Sequence, residues 1–202
     1  MLTDFETLLL ITSTPAHIRF LDQSIKSHLM LGVQIVLGWD YYTFNHPKKI
    51  PDGIPILCSQ SLLGIQSGEA WQIEAALRFA IYNQYQYLLK SAGDIVIDNP
   101  RALWSCLRLI QDCDYLSTHA AEIDTKFFFA RVLPMYRVAT TARFNAEIQS
   151  IEVQYSREAD NLGLRRRQFN HYEEFKIRHL QEPVAKHNRW EIGMTLERAD
   201  WV

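Results

Sequence analysis

The residues with the clearest chemical potential lie in mid-chain, at Lys90-Ser91-Ala92-Gly93-Asp94, just past the apolar run Tyr87-Leu88-Leu89. An acid in that position reaches the carboxyl edge of a sheet. Carboxylates with open positions hold Mg2+ or Mn2+ against substrate phosphates, and such a metal stabilises a diphosphate leaving group. Asp94 is therefore the candidate metal ligand, and Lys90 a point cation for phosphate. The same residues also spell a tight turn, with Gly93 at the bend and Asp94 bonding back to the main chain. Asp40, after Gly38 and Trp39, could accept from a base or a ribose, or simply open a loop. In His119-Ala120-Ala121-Glu122-Ile123-Asp124, Glu122 and Asp124 are candidates for a general base, which must lie within hydrogen-bond reach of an acceptor hydroxyl.

Other reactive side chains form no pattern. The histidines are dispersed, and Cys58, Cys106 and Cys113 match neither a zinc signature nor a disulfide framework. Arg165-Arg166-Arg167 is the one dense basic run, suited to phosphate groups or to a helix surface screened by Glu173 and Glu174. Three arginines are too few for nucleic-acid binding, which needs several phosphate contacts. The chain has no G-x-G-x-x-G, P-loop, G-x-S-x-G or H-E-x-x-H run.

Positioning these residues is the work of alternating strands and helices. Leu8 to Thr12 reads as a buried strand. Thr14 can cap the next helix with Pro15 in its first turn. Ile18, Leu21, Ile25 and Leu29 carry its apolar spacing, and Gly32 ends it. Val33 to Leu37 is a second strand. Strand, helix, strand argues for a parallel sheet with helices on its faces, whose ligands bind at the carboxyl edge. Residues 43–55 and Gly64 to Gly68 read as loops. A helix is expected from Glu69 to Tyr82, with Trp71, Ala75, Arg78, Phe79 and Tyr82 marking one side. Ile73, Ala76, Leu77 and Ala80 widen its apolar arc. Strands are expected at Tyr87 to Leu89, Tyr115 to Thr118 and Lys126 to Val132, with Ile95-Val96-Ile97 a further apolar run. Between them Asn99 and Pro100 open a helix to about residue 111. Beyond residue 145, sparse apolar anchors suggest peripheral helices.

The chain has 202 residues, 48% of them apolar and 22% charged, with net charge −2. That excludes a disordered or collagen-like protein and wholesale attraction to polyanions. The start lacks a signal-peptide pattern, and no segment approaches the roughly 20 apolar residues that span a bilayer. The expectation is a soluble cytoplasmic protein: an α/β core over 1–145 with a helical extension over 146–202 packed on it.

The order of elements resembles the nucleotide-sugar-binding domain of GT-A glycosyltransferases. Leu8 to Thr14 looks like their first strand and base-binding loop, and Val33 to Asp40 like the second strand, whose terminal acid faces the nucleoside. Gly64-Ile65-Gln66-Ser67-Gly68 is similar to their loop beside the donor. Tyr87 to Asp94, with Asp98-Asn99-Pro100 following, is similar to their D-x-D run, although Ala92 stands where the first acid belongs. The resemblance spans roughly residues 6–140 and implies a three-layer sandwich on a mostly parallel sheet. It implies a nucleoside-diphosphate sugar held by Ser13, Thr14, Asp40, Gln66, Lys90 and Asp94, with Mn2+ or Mg2+ on Asp94. It also implies inverting transfer to a glycan or lipid-linked acceptor, with Asp124 or Glu122 as base. Alternatives are a catalytically degraded nucleotide-sugar-binding module, motivated by Ala92, and a sugar nucleotidyltransferase, which would lack its usual early glycine-rich basic loop. The chain could also be one module of a longer protein.

Overall fold

The computed structural model of the protein describes residues 6–13, 17–39, 50–58, 65–118, 123–142, 150–168 and 177–180. The first strand, β1 (Thr7–Ser13), is buried along its whole length. A strand whose residues are all buried needs cover on both faces, and an unbroken Leu/Ile run provides for it. Helix α1 (Ile18–Leu29) follows, with His17 at its N-cap and no side-chain cap bond there; the expected cap, Thr14, lies outside the described residues. Gly32, at φ 71°, takes the left-handed turn that leads to β2 (Gln34–Trp39). Strand β3 (Ile56–Cys58) then lies outside β2, and all three strands run parallel.

Helix α2 (Ile65–Tyr82) leads to β4 (Tyr87–Ala92), which pairs parallel to the other side of β1. After β4 come β5 (Ile95–Ile97) and α3 (Pro100–Leu107), then a 3-10 turn over Arg108–Asp112. Asn99 Oδ1 accepts from Ala102 N at 3.1 Å, as the Asn-Pro pair predicts. Strands β6 (Tyr115–Ser117) and β7 (Phe127–Arg131) are antiparallel, and β7 pairs with β4. Phe127, Phe128 and Phe129 are all buried, alternating between the two faces. Helices α4 (Val132–Thr141) and α5 (Ile151–Asn161) complete one helical layer.

The main sheet has seven strands in the order β3-β2-β1-β4-β7-β6-β8, where β8 is Arg166–Gln168. A two-stranded ribbon joins β5 to β9 (Ile177–His179). Two apolar clusters lie on opposite faces of the sheet. One is built on Leu9, Ile11, Leu21, Ile25, Leu103 and Leu107. The other is built on Leu8, Leu10, Ile73, Leu77, Met135 and Tyr155. This is the three-layer α/β sandwich with a mixed, largely parallel sheet that the sequence predicts.

Three local expectations are corrected. Ile65–Gly68 is the first turn of α2 and not a loop. On α2 the buried stripe is Ile73, Ala76, Leu77 and Ala80, while Trp71 and Tyr82 are exposed at 39% and 87%; a 3.6-residue repeat lets only one side face the sheet. The Arg165–Arg167 run is not a helix surface but enters β8, where Arg165 N donates to Asp114 Oδ2 at 2.8 Å.

Candidate functional site

The strand order reverses beside β1. The chain builds outward through β2 and β3, then returns to lay β4 on the opposite side of β1. In open α/β sheets, such a switch point opens a crevice at the carboxyl ends of its strands. Here that end is bounded by Thr12 and Ser13 of β1, Gly38 and Trp39 of β2, and Ala92 of β4, with Thr12 opposite both Gly38 and Ala92.

The turns that leave β1 and β4 touch. Gly93 N donates to Thr12 O at 2.8 Å. A Cβ on Gly93 would stand 3.0 Å from that carbonyl and 3.1 Å from His17 Cβ, so glycine lets the backbones close. The approach sets His17 Nε2 3.7 Å from Asp94 Oδ1. The Asp94 carbonyl accepts from Leu180 N at 2.8 Å, so the residue that follows β9 clasps this corner. Asp94 is only 4% exposed. Burial holds the His17 imidazole below its ordinary range, outweighing the neighbouring Asp94 and Glu69 carboxylates, which act to raise it.

Lys90 is fully buried and its ammonium is ion-paired to Glu69 from the second turn of α2. Its neighbour Ser91 points to the other face, as alternation along a strand requires, and bonds His28 Nε2 at 2.9 Å. His28 Nδ1 lies 2.7 Å from Ser24 O, which fixes the proton on Nδ1 and leaves Nε2 to accept from Ser91. Full burial pushes the His28 pKa down to about 4. At the β1–β2 end, Ser13 Oγ donates to Gly38 O at 2.7 Å, and Gln72 Nε2 of α2 donates to Ser13 O at 3.4 Å.

Of the sequence-predicted residues, Ser13, Lys90 and Asp94 are thus brought to one rim. Thr14, Asp40 and Glu122 lie outside the described residues. Gln66 falls in the first turn of α2, its side chain outside what is described. Asp124 lies in the β6–β7 connection beside the carboxyl end of β4, where Ala92 N donates to Lys126 O at 2.8 Å. Its carboxylate accepts from Thr118 Oγ1 and, at 3.0 Å, from Lys126 N. His17, Glu69 and Gln72 were not singled out by the sequence. Only the place of His17, a few residues beyond the first strand, could have marked it.

The described side chains do not fit a divalent cation. The position that would supply the first acid of a paired motif is Ala92, itself buried, and Asp94 faces His17. Among the described residues no three His, Cys, Asp or Glu side chains converge as ligands. Among them, too, no helix is long and apolar enough to cross a membrane.

No family model and no curated protein matches this chain. Solved structures do. A197 from STIV superposes with a TM-score of 0.53 at 14% identity, covering 88% of this chain and 87% of that one. A protein of Desulfovibrio desulfuricans G20 assigned as a nucleotide-diphospho-sugar transferase gives 0.51 at 12% identity, covering 82% and 80%. The 4-diphosphocytidyl-2C-methyl-D-erythritol synthase of Anaerococcus prevotii DSM 20548 gives 0.55 at 9% identity, covering 83% and 89%. At such identities the likeness is one of fold: the chain has a GT-A-like three-layer α/β architecture.

Proposed function

We propose that this protein binds a nucleoside-diphosphate sugar at the β1–β4 switch point and acts in group transfer at the sugar diphosphate. The observation that carries the reading is the convergence at that point of Ser13, His17, Lys90 and Asp94 with Glu69 and Gln72 from α2. The ends of β1 and β2, with Ser13, Thr14 and Asp40, suit the nucleoside. The corner of His17, Lys90 and Asp94 suits the phosphates and the sugar.

Charge arithmetic limits how the phosphates are held. Lys90 contributes +1, Glu69 and Asp94 contribute −1 each, and a neutral His17 contributes nothing, so the four sum to −1. Phosphate binding at this rim would rest on directed N–H donors more than on net positive charge. The paired-acid metal motif is incomplete, so the binding function stands ahead of the expected metal-assisted glycosyl transfer. For transfer to an acceptor hydroxyl, Asp124 and Glu122 remain the proposed bases. Asp124 would exchange the Thr118 hydroxyl for that of the acceptor. A second reading, nucleotidyl transfer from a nucleoside triphosphate to a sugar phosphate, is favoured by the fold shared with the diphosphocytidyl-methylerythritol synthase. One scaffold hosts both chemistries.

Phosphorus NMR separates the outcomes. Incubation with nucleotide sugars and acceptor glycans should release a nucleoside diphosphate if glycosyl transfer occurs. Sugar 1-phosphate with nucleoside triphosphates should yield pyrophosphate if nucleotidyl transfer occurs. Binding without either product identifies a non-catalytic nucleotide-sugar module. Failure of every nucleotide and nucleotide sugar to bind contradicts the proposal.

A further inference from the structure

Gln72 is 1% exposed, yet its amide is only half satisfied. Nε2 reaches Ser13 O at 3.4 Å, near the limit of a hydrogen bond. Oε1 is buried and has no hydrogen-bond donor among the described residues. The orientation is not arbitrary: turning the amide over would set Oε1 against the Ser13 carbonyl, two acceptors face to face. The oxygen is therefore the group laid over Gly38. A Cβ built on Gly38 would stand 2.9 Å from Gln72 Cδ and 3.1 Å from its Cβ, so this glycine is what admits the amide between the strand ends.

A buried acceptor without a donor is destabilising, and native structures carry few such groups without a water or ligand to answer them. This one lies at the ends of β1 and β2, where the proposed nucleoside sits. We propose that Gln72 is a specificity-determining residue of that site: Oε1 accepts an N–H of the nucleobase when the nucleotide seats. The inference rests on the nucleotide-binding reading. A weakly held amide whose oxygen has no donor is the arrangement in which a ligand's N–H gains most, because binding supplies a bond that the free protein lacks. The fixed orientation makes the group an acceptor, so it rewards bases that present a donor at this point and penalises those that present a lone pair.

The test is calorimetric titration of the wild-type chain and Gln72→Met with UDP, CDP, GDP, ADP and inorganic pyrophosphate. Methionine keeps the volume and removes the acceptor. The expected result is at least a tenfold loss for the preferred nucleotide, a narrowed spread among the four bases, and unchanged pyrophosphate affinity. Because Gln72→Met could fail to fold, the wild-type chain is also titrated with the preferred nucleotide methylated at its base N–H; the same tenfold loss is expected. An unchanged ranking in Gln72→Met, or wild-type tolerance of the methylated base, overturns the assignment. So does an equal loss for every base, which would mark a packing role. If the wild-type chain binds none of the nucleotides, the underlying reading falls and takes this inference with it.

Discussion

Of the seven histidines that the sequence scatters, His28 is a fixed part of the interior and His17 is half-buried beside Asp94. His28 binds Ser24 O and Ser91 as a neutral ring, and its folded pKa of about 4 lies below the ordinary 6.5. Protonation therefore favours the unfolded chain. The stabilisation is full above pH 6.5 and is lost as pH falls toward 4, by about 3 kcal/mol for His28 alone. His17, also shifted downward, adds in the same direction. Urea titrations at pH 7 and pH 4.5 should show this loss, and His28→Gln should flatten it; an equal slope in the variant would contradict the assignment. Lys90 makes a second case. Sequence spacing offered it as a phosphate cation, whereas the fold gives its ammonium to Glu69. The two are not equally buried: the Lys90 side chain is 0% exposed and that of Glu69 19%. Breaking a buried pair leaves the survivor uncompensated, at about 3–5 kcal/mol. Glu69→Gln, which strands the wholly buried lysine, should destabilise more than Lys90→Met, and the double variant should recover most of the loss. Equal effects in thermal unfolding would argue against this. Neither partner was legible in advance, because an ion pair twenty-one residues apart leaves no local pattern.

Local signals worked best for elements whose two neighbours agree with them. The Leu/Ile run of β1, the Asn-Pro entry to α3 and the Phe-rich β7 were all readable, since burial on both faces or a side-chain cap writes itself into adjacent residues. The start of α2 was not. Gly64, Ser67 and Gly68 are turn formers, but tertiary contact overrides them: Glu69 is drawn to Lys90 and Gly68 is buried. Strands β8 and β9 are three residues each, too short to show alternation, and exist because the sheet edge and the β4–β5 corner offer them partners. The Arg178–Asp98 pair that accompanies β9, with Nη2 to Oδ1 at 2.8 Å, is exposed. Arg178→Ala should leave the melting temperature nearly unchanged, since exposed ion pairs contribute little, and a clear drop in melting would mean that β9 is held chiefly by this pair. At the β2 end, Gly38→Ala forces the Gln72 amide aside and should cost about 1–3 kcal/mol through overpacking. Adding Gln72→Ala should restore most of that stability, since it removes the atoms in the way. Additive losses in denaturant unfolding would show that the contact is not the cause.

At the scale of the whole molecule, a sheet that grows outward from β1 and then switches sides places the crevice before any side chain is considered. That much follows from the strand–helix–strand rhythm in the sequence. What the rhythm does not supply is which polar groups the corner keeps for itself. Asp94 faces His17, Lys90 faces Glu69, and Asp124 is held by Thr118 and Lys126 N. Asp94 and Lys90 are thus met by partners from elements distant in sequence, and that is why the site was half legible. The most direct test of the central claim, that nucleotides bind at the β1–β4 switch point, is an amide NMR titration with UDP, GDP, CDP and dTDP. The account predicts saturable shifts grouped on Ser13, His17, Gly38, Gln72, Gly93 and Asp94. Shifts confined to β8 and α4, or no saturable shift with any nucleotide, would contradict it.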